Sequence, residues 1–174
     1  MDKIGICGGG LIGASWALGF SSNKYKVFVY DNSKKVREEF LNTVKGLYED
    51  LSILKDISFN EIKSNIVICE AIEDICKDAT LIQESIIENL EEKQNIFIEL
   101  DKFSNKETIL ASSSSYLLPS EIGSKIKHKN RFIDFIFLFF LFLFLFSRFF
   151  VKFFQLFRMH NRSFYRITHF FILI

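Results

Sequence analysis

Between Lys3 and Ser115 the apolar positions switch repeatedly between a short continuous run and a helical stripe. Lys3-Ile4-Gly5-Ile6-Cys7 is an apolar run ending in glycines, the pattern of a buried strand. Leu11 to Ser21 predicts a helix whose small residues Gly13, Ala14 and Ala17 allow close approach to a sheet. Lys26 to Asp31 predicts a second strand. Ser33 is placed to cap a helix in which Val36, Phe40, Val44, Leu47 and Leu51 form one apolar stripe on a charged surface. Asn65–Cys69 and Thr80–Glu84 read as short strands. Asn89-Leu90-Glu91-Glu92 resembles a capping box that starts a helix turning Ile96, Phe97, Leu100 and Phe103 inward. Thr108–Ala111 is a further strand, followed by the polar run Ser112–Ser115. Strands alternating with helices predict an α/β fold with a mainly parallel sheet.

Beyond Ile133 the pattern changes. Six of the 22 Phe lie in residues 1–131, and the other sixteen lie between Phe132 and Phe171. Phe135 to Phe146 is twelve consecutive Phe, Leu or Ile residues, after which come Arg148, Lys152, Arg158, Arg162 and Arg166. The chain therefore divides into a globular part, 1–133, and a Phe-rich basic tail, 134–174, helical or disordered, with no assignable domain. The tail carries a formal charge of +4, which leaves −3 for the rest of a chain whose total is +1.

With 174 residues, 49% hydrophobic and 25% charged, wholesale disorder is excluded and there is room for one ordinary domain. A net charge of +1 gives no general attraction to nucleic acid. Cys7, Cys69 and Cys76 are too few, in surroundings too apolar, for a disulfide framework or a metal cluster, which fits a reducing, cytoplasmic compartment. Met1-Asp2-Lys3 leads directly into a strand, so no signal peptide is expected. The basic residues Lys125, Lys127, Lys129 and Arg131 read as a solvated loop, and Trp16, Tyr30 and Tyr116 as packing residues.

Gly8-Gly9-Gly10-Leu11-Ile12-Gly13 fits G-x-G-x-x-G, which is weak alone. Here it follows a strand, opens a helix, and is answered by Asp31 at the end of the next strand. Gly8 permits the tight turn, Gly10 lets backbone approach a pyrophosphate, and Gly13 allows close helix packing. The helix start offers free N–H groups and partial positive charge to phosphate. Asp31 is suited to the ribose hydroxyls and repels a 2′-phosphate, so NAD is expected rather than NADP.

Two further stretches carry a resemblance: Ile82-Gln83-Glu84-Ser85-Ile86-Ile87-Glu88-Asn89-Leu90 with Lys93, and Ile109-Leu110-Ala111-Ser112-Ser113-Ser114-Ser115-Tyr116-Leu117-Leu118-Pro119-Ser120. With the glycine loop they make residues 1–133 resemble the Rossmann-type NAD-binding domain of the 3-hydroxyacyl-CoA dehydrogenases. Within that family they look like the lambda-crystallin, or L-gulonate 3-dehydrogenase, branch. The resemblance implies that Glu88 and Lys93 line the nicotinamide-ribose side. It implies that Ser115 contacts the substrate hydroxyl, and that the substrate is a hydroxyacyl-CoA of fatty acid metabolism or a small 3-hydroxy acid. Plain structural readings stay open: Glu88 also favours the start of the following helix, and the four serines also make an ordinary polar loop.

The family pattern continues into a strand ending in His-Pro-x-Asn-Pro-Pro, whose histidine is the general base. By register that histidine falls at Ile136, within Ile133-Asp134-Phe135-Ile136-Phe137-Leu138. His128, His160 and His169 stand elsewhere. The expectation is a truncated, NAD(H)-binding domain that lacks its base and its helical C-terminal domain, and is inactive as written. Three readings compete for the tail: translated AT-rich sequence never selected as protein, a membrane-associating segment through 135–157, or new packing over exposed sheet. The abrupt break favours the first, and a membrane-tethered nucleotide-binding module is the alternative function.

Overall fold

The computed structural model describes residues 2–50 and 57–134. Leu51 and everything expected of residues 135–174, including tail structure, membrane association and the surroundings of Ile136, lie outside the described residues.

Six parallel strands form one sheet: β1 (Lys3–Cys7), β2 (Lys26–Tyr30), β3 (Ile66–Ile68), β4 (Ala79–Glu84), β5 (Ile109–Ser112) and β6 (Phe132–Asp134). Their order is β3-β2-β1-β4-β5-β6, so the direction of winding reverses between β1 and β4. This is the doubly wound Rossmann order, in which ligands bind outside the carboxyl ends of the strands at that switch point. Cys7 pairs with Tyr30 on one side and Glu84 on the other, bringing the glycine loop, Asp31 and the Glu84–Glu88 segment to one edge.

The helices are α1 (Leu11–Ser22), α2 (Lys34–Asp50), α3 (Phe59–Ser64), α4 (Ile72–Cys76), α5 (Leu90–Phe103) and α6 (Pro119–Ile122). Ser33 starts α2 as expected, its hydroxyl accepting from Val36 N–H at 3.4 Å. Asn89 accepts from Glu92 N–H at 3.1 Å, but its own N–H goes to the Ile87 carbonyl, so the box at α5 is half made. The full capping box belongs to Ser58 and Glu61 at α3, an unanticipated helix. Strand β6 extends the sheet by pairing Leu110 with Phe132 and Ala111 with Ile133.

Every apolar residue of β1 is buried because the strand is covered on both faces. Under α4 and α5, Cys7, Ile75, Ile82, Phe97, Leu100 and Leu110 form a continuous core. Phe97 meets Phe132 edge to face with ring centroids 4.9 Å apart, tying β6 to α5. Trp16 packs on Phe20 at 5.5 Å, and Tyr30 lies partly buried against the core. Tyr116 departs from expectation: it is 85% exposed just after Ser115, where the chain has left the end of β5.

Arg131 is a second correction. Lys125, Lys127 and Lys129 are exposed, but Arg131 is buried. Its Nε and Nη2 donate to Asp101 Oδ1 at 3.1 and 2.7 Å, and its Nη1 donates to the Ser104 hydroxyl at 2.9 Å and the Thr108 carbonyl at 3.2 Å. A charge taken from water needs this set of partners, and the end of α5 supplies it.

Candidate functional site

The glycine loop has the shape its sequence predicts, for contacts that can be named. Gly8 has φ +104°, and a Cβ there would lie 2.6 Å from the Ser85 carbonyl oxygen. A Cβ on Gly13 would lie 1.9 Å from the Gly8 carbonyl oxygen, so α1 is seated on the loop itself. Gly10 has nothing within 4 Å of its Cβ position, leaving an open approach to the backbone. No side chain caps α1 and its first turn holds no acid, so nothing in this helix start competes with an anion. These features fit a dinucleotide pyrophosphate. Leu11, next in the loop, is 60% exposed, and Ile12 is half-buried.

Asp31 is fixed before any ligand arrives. Its Oδ2 accepts from Gly9 N–H at 2.7 Å and its Oδ1 from Ser33 N–H at 2.8 Å. The acid therefore latches the glycine loop to the end of β2. Each carboxylate oxygen keeps a second lone pair, the capacity a ribose diol needs.

On the other side of the switch point, a buried charge cluster stands behind the ligand edge. Glu84, fully buried at the end of β4, accepts from Lys93 Nζ and Ile86 N–H at Oε1 (both 2.7 Å) and from the Ser112 hydroxyl at Oε2 (2.7 Å). Lys93 is 1% exposed and also reaches Glu88 Oε2 at 3.4 Å. Glu88 accepts from the Ser114 hydroxyl and from Tyr116 N–H. Partial burial pushes the Glu88 carboxyl up, but the Ser114 hydroxyl, the Lys93 ammonium and the Tyr116 N–H outweigh it and hold it below the ordinary value. Lys93 thus stands in contact with Glu88, yet its ammonium points into protein; the accessible charge here is Glu88.

The structure separates the four serines. Ser112 binds Glu84 and Ser114 binds Glu88. Ser113 Oγ accepts from Trp16 Nε1 at 3.0 Å and Gln83 Nε2 at 2.8 Å. Ser115 is exposed and its hydroxyl has no hydrogen bond among the described residues. Glu84, Ser112 and Ser114 were missed as site residues by sequence reasoning. An acid closing an otherwise apolar strand was the available signal for Glu84.

The sequence model of the family "3-hydroxyacyl-CoA dehydrogenase, NAD binding domain" matches residues 3–140. The chain belongs to this family. It is 38% identical over 127 residues to the lambda-crystallin homolog of Mus musculus, covering 71% of this chain and 40% of that protein. It is 29% identical over 133 residues to an L-carnitine dehydrogenase of Oceanobacillus iheyensis, covering 76% and 43%. The chain thus spans less than half the length of these relatives. Among solved structures, a diketoreductase superposes with TM-score 0.73 at 23% identity, over 79% of this chain and 50% of that one. The 3-hydroxybutyryl-CoA dehydrogenase of Escherichia coli superposes with TM-score 0.71 at 20% identity, over 78% and 29%. These two likenesses concern the fold. Among the described residues, no helix is long and apolar enough to cross a membrane.

Proposed function

We propose that this chain binds NAD(H) along the carboxyl edge of its sheet, with the pyrophosphate on Gly8–Gly13 and the adenosine ribose on Asp31. The observation that carries this is the open Gly10 backbone beside an Asp31 already latched to the loop. Glu88 and Lys93 stand at the nicotinamide side, Glu88 as the contact and Lys93 as the group that holds it. Ser115, the one of the four serines whose hydroxyl no described residue engages, orients the substrate alcohol. That substrate is a small 3-hydroxy acid or a hydroxyacyl-CoA, in line with relatives named for L-carnitine and 3-hydroxybutyryl-CoA. The bound nicotinamide supplies the hydride acceptor.

Oxidation of the alcohol also needs a group to take its proton. Ile136 stands where the family resemblance puts that base, and Ser115 orients without replacing it. Lack of a general base costs about 10²–10⁴-fold, so turnover by this chain is expected to be severely reduced. Three unpaired, buried cysteines support a reducing compartment, which we take to be the cytoplasm.

NADH fluorescence titration of the full chain tests the cofactor reading. Binding that Gly10→Val and Asp31→Ala each weaken by about tenfold or more, equivalent to about 1.4 kcal/mol, is expected. Absence of NADH binding by a chain shown to be folded by circular dichroism sinks it.

A further inference from the structure

Beside the ribose acid lies a cation. Arg37, in the first turns of α2, donates from Nη1 to the main-chain carbonyl of Asp31 at 2.7 Å and to that of Asn32 at 3.4 Å. Its Nη2 meets Glu70 Oε2 at 2.6 Å, just past the end of β3. The Arg37 side chain is 12% exposed and that of Glu70 is 82% exposed. Arg37 Nε is buried with no hydrogen-bond partner among the described residues. A guanidinium is therefore fixed on the main chain of the residue whose carboxylate is expected to read the ribose, and its Nε is unengaged among the described residues. In dinucleotide-binding folds an acid here selects the 2′-hydroxyl, and a nearby arginine accommodates a 2′-phosphate. This chain carries both elements.

We propose that Glu70 is a specificity-positioning residue: by occupying Arg37 it keeps a latent 2′-phosphate ligand out of play and, together with Asp31, restricts the site to NAD(H). The three side chains carry a formal charge of −1, which disfavours a phosphate. Removing both acids leaves +1 and a guanidinium whose Nη2 and Nε are both unengaged. The main-chain bonds from Nη1 do not depend on Glu70, so the cation stays in place when Glu70 is changed. This rests on the cofactor reading above and adds a residue that need not touch the cofactor.

The test is the ratio of NADPH to NADH dissociation constants, measured by fluorescence on the full chain. Wild type should prefer NADH by more than tenfold. On an Asp31→Ser background, Glu70→Gln should tighten NADPH at least fivefold while moving NADH less than twofold. Adding Arg37→Met should abolish that gain, and Glu70→Asp in the otherwise wild-type chain should keep the preference for NADH. Tighter NADPH with NADH almost unmoved is a readout that a general loss of structure, which weakens both cofactors, does not give. Failure of Glu70→Gln to shift the ratio, or a gain that survives Arg37→Met, overturns the proposal while leaving NADH binding intact. Absence of NADH binding in wild type overturns the cofactor reading and this proposal with it.

Discussion

Replacing Lys93 by Met should destabilise the domain more than any exposed lysine substitution. Lys93 and Glu84 are 1% and 0% exposed at their side chains and meet at 2.7 Å. Methionine nearly fills the volume but leaves the Glu84 carboxylate buried without its cation. Breaking a buried pair from one side costs about 3–5 kcal/mol. Glu84 would keep the Ile86 N–H and the Ser112 hydroxyl, which places the loss near the lower end. At about 2–4 °C per kcal/mol for a chain of this size, a loss of about 3 kcal/mol lowers the melting temperature by about 6–12 °C. Thermal denaturation followed by circular dichroism at neutral pH reads this directly. The double variant Glu84→Gln/Lys93→Met removes both charges and should recover at least half of the loss. A Lys93→Met protein melting within about 2 °C of wild type would refute the reasoning, since a shift that small is under about 1 kcal/mol. So would a double variant less stable than the single one, because the cost would then not come from a stranded carboxylate.

Gly13→Ala places a methyl 1.9 Å from the Gly8 carbonyl, so the loop must move; NADH titration should show affinity down by about tenfold or more, a loss of about 1.4 kcal/mol. An unchanged affinity would mean that the loop does not form the cradle. Glu88 is held below its ordinary value of 4.5, so its carboxylate stabilises the fold above that pH, and the contribution is lost as pH falls through the lower folded value. The melting gap between wild type and Glu88→Gln should therefore be full at neutral pH and close toward acid, and a gap independent of pH contradicts the assignment. Burial pushes the thiols of Cys7, Cys69 and Cys76 up, that of Cys76 to about 12, so iodoacetamide should label none of them in the folded domain and all of them in denaturant. Rapid native labelling of Cys76 would show that α4 is not packed as described.

Local chemistry made the first half of the site legible. A strand, glycines at fixed spacing, a helix and an acid lie within Lys3–Asp31, and each is recognisable from its neighbours. Arg131 and Glu84 were not legible for the opposite reason. A charged residue's exposure is decided by partners distant in sequence, and Arg131 is buried because Asp101 and Thr108 face it across a loop. The serine run shows the same limit. Four identical side chains differ only in which of Glu84, Trp16 and Glu88 stands opposite, so that no described residue engages the Ser115 hydroxyl emerges only in three dimensions.

Two buried ion pairs share one helix. Lys93 sits in the first turn of α5 and ties it to Glu84 on β4. Asp101, near the other end, ties it to Arg131 just before β6. Burial pushes the Asp101 carboxyl up, but the Arg131 guanidinium, His128 and the Lys127 N–H hold it below its ordinary value. Buried pairs of this kind add little net stability over apolar packing, but they penalise any displacement that strands a charge. Fixed at both ends, α5 has one register against the sheet. Glu88 stands just before its cap, Asn89, and is held in turn by Lys93, Ser114 and the Tyr116 N–H. The carboxylate facing the ligand edge is thereby placed by β4, α5 and the loop after β5 together. A side chain set by three elements suits the nicotinamide-side contact proposed for it.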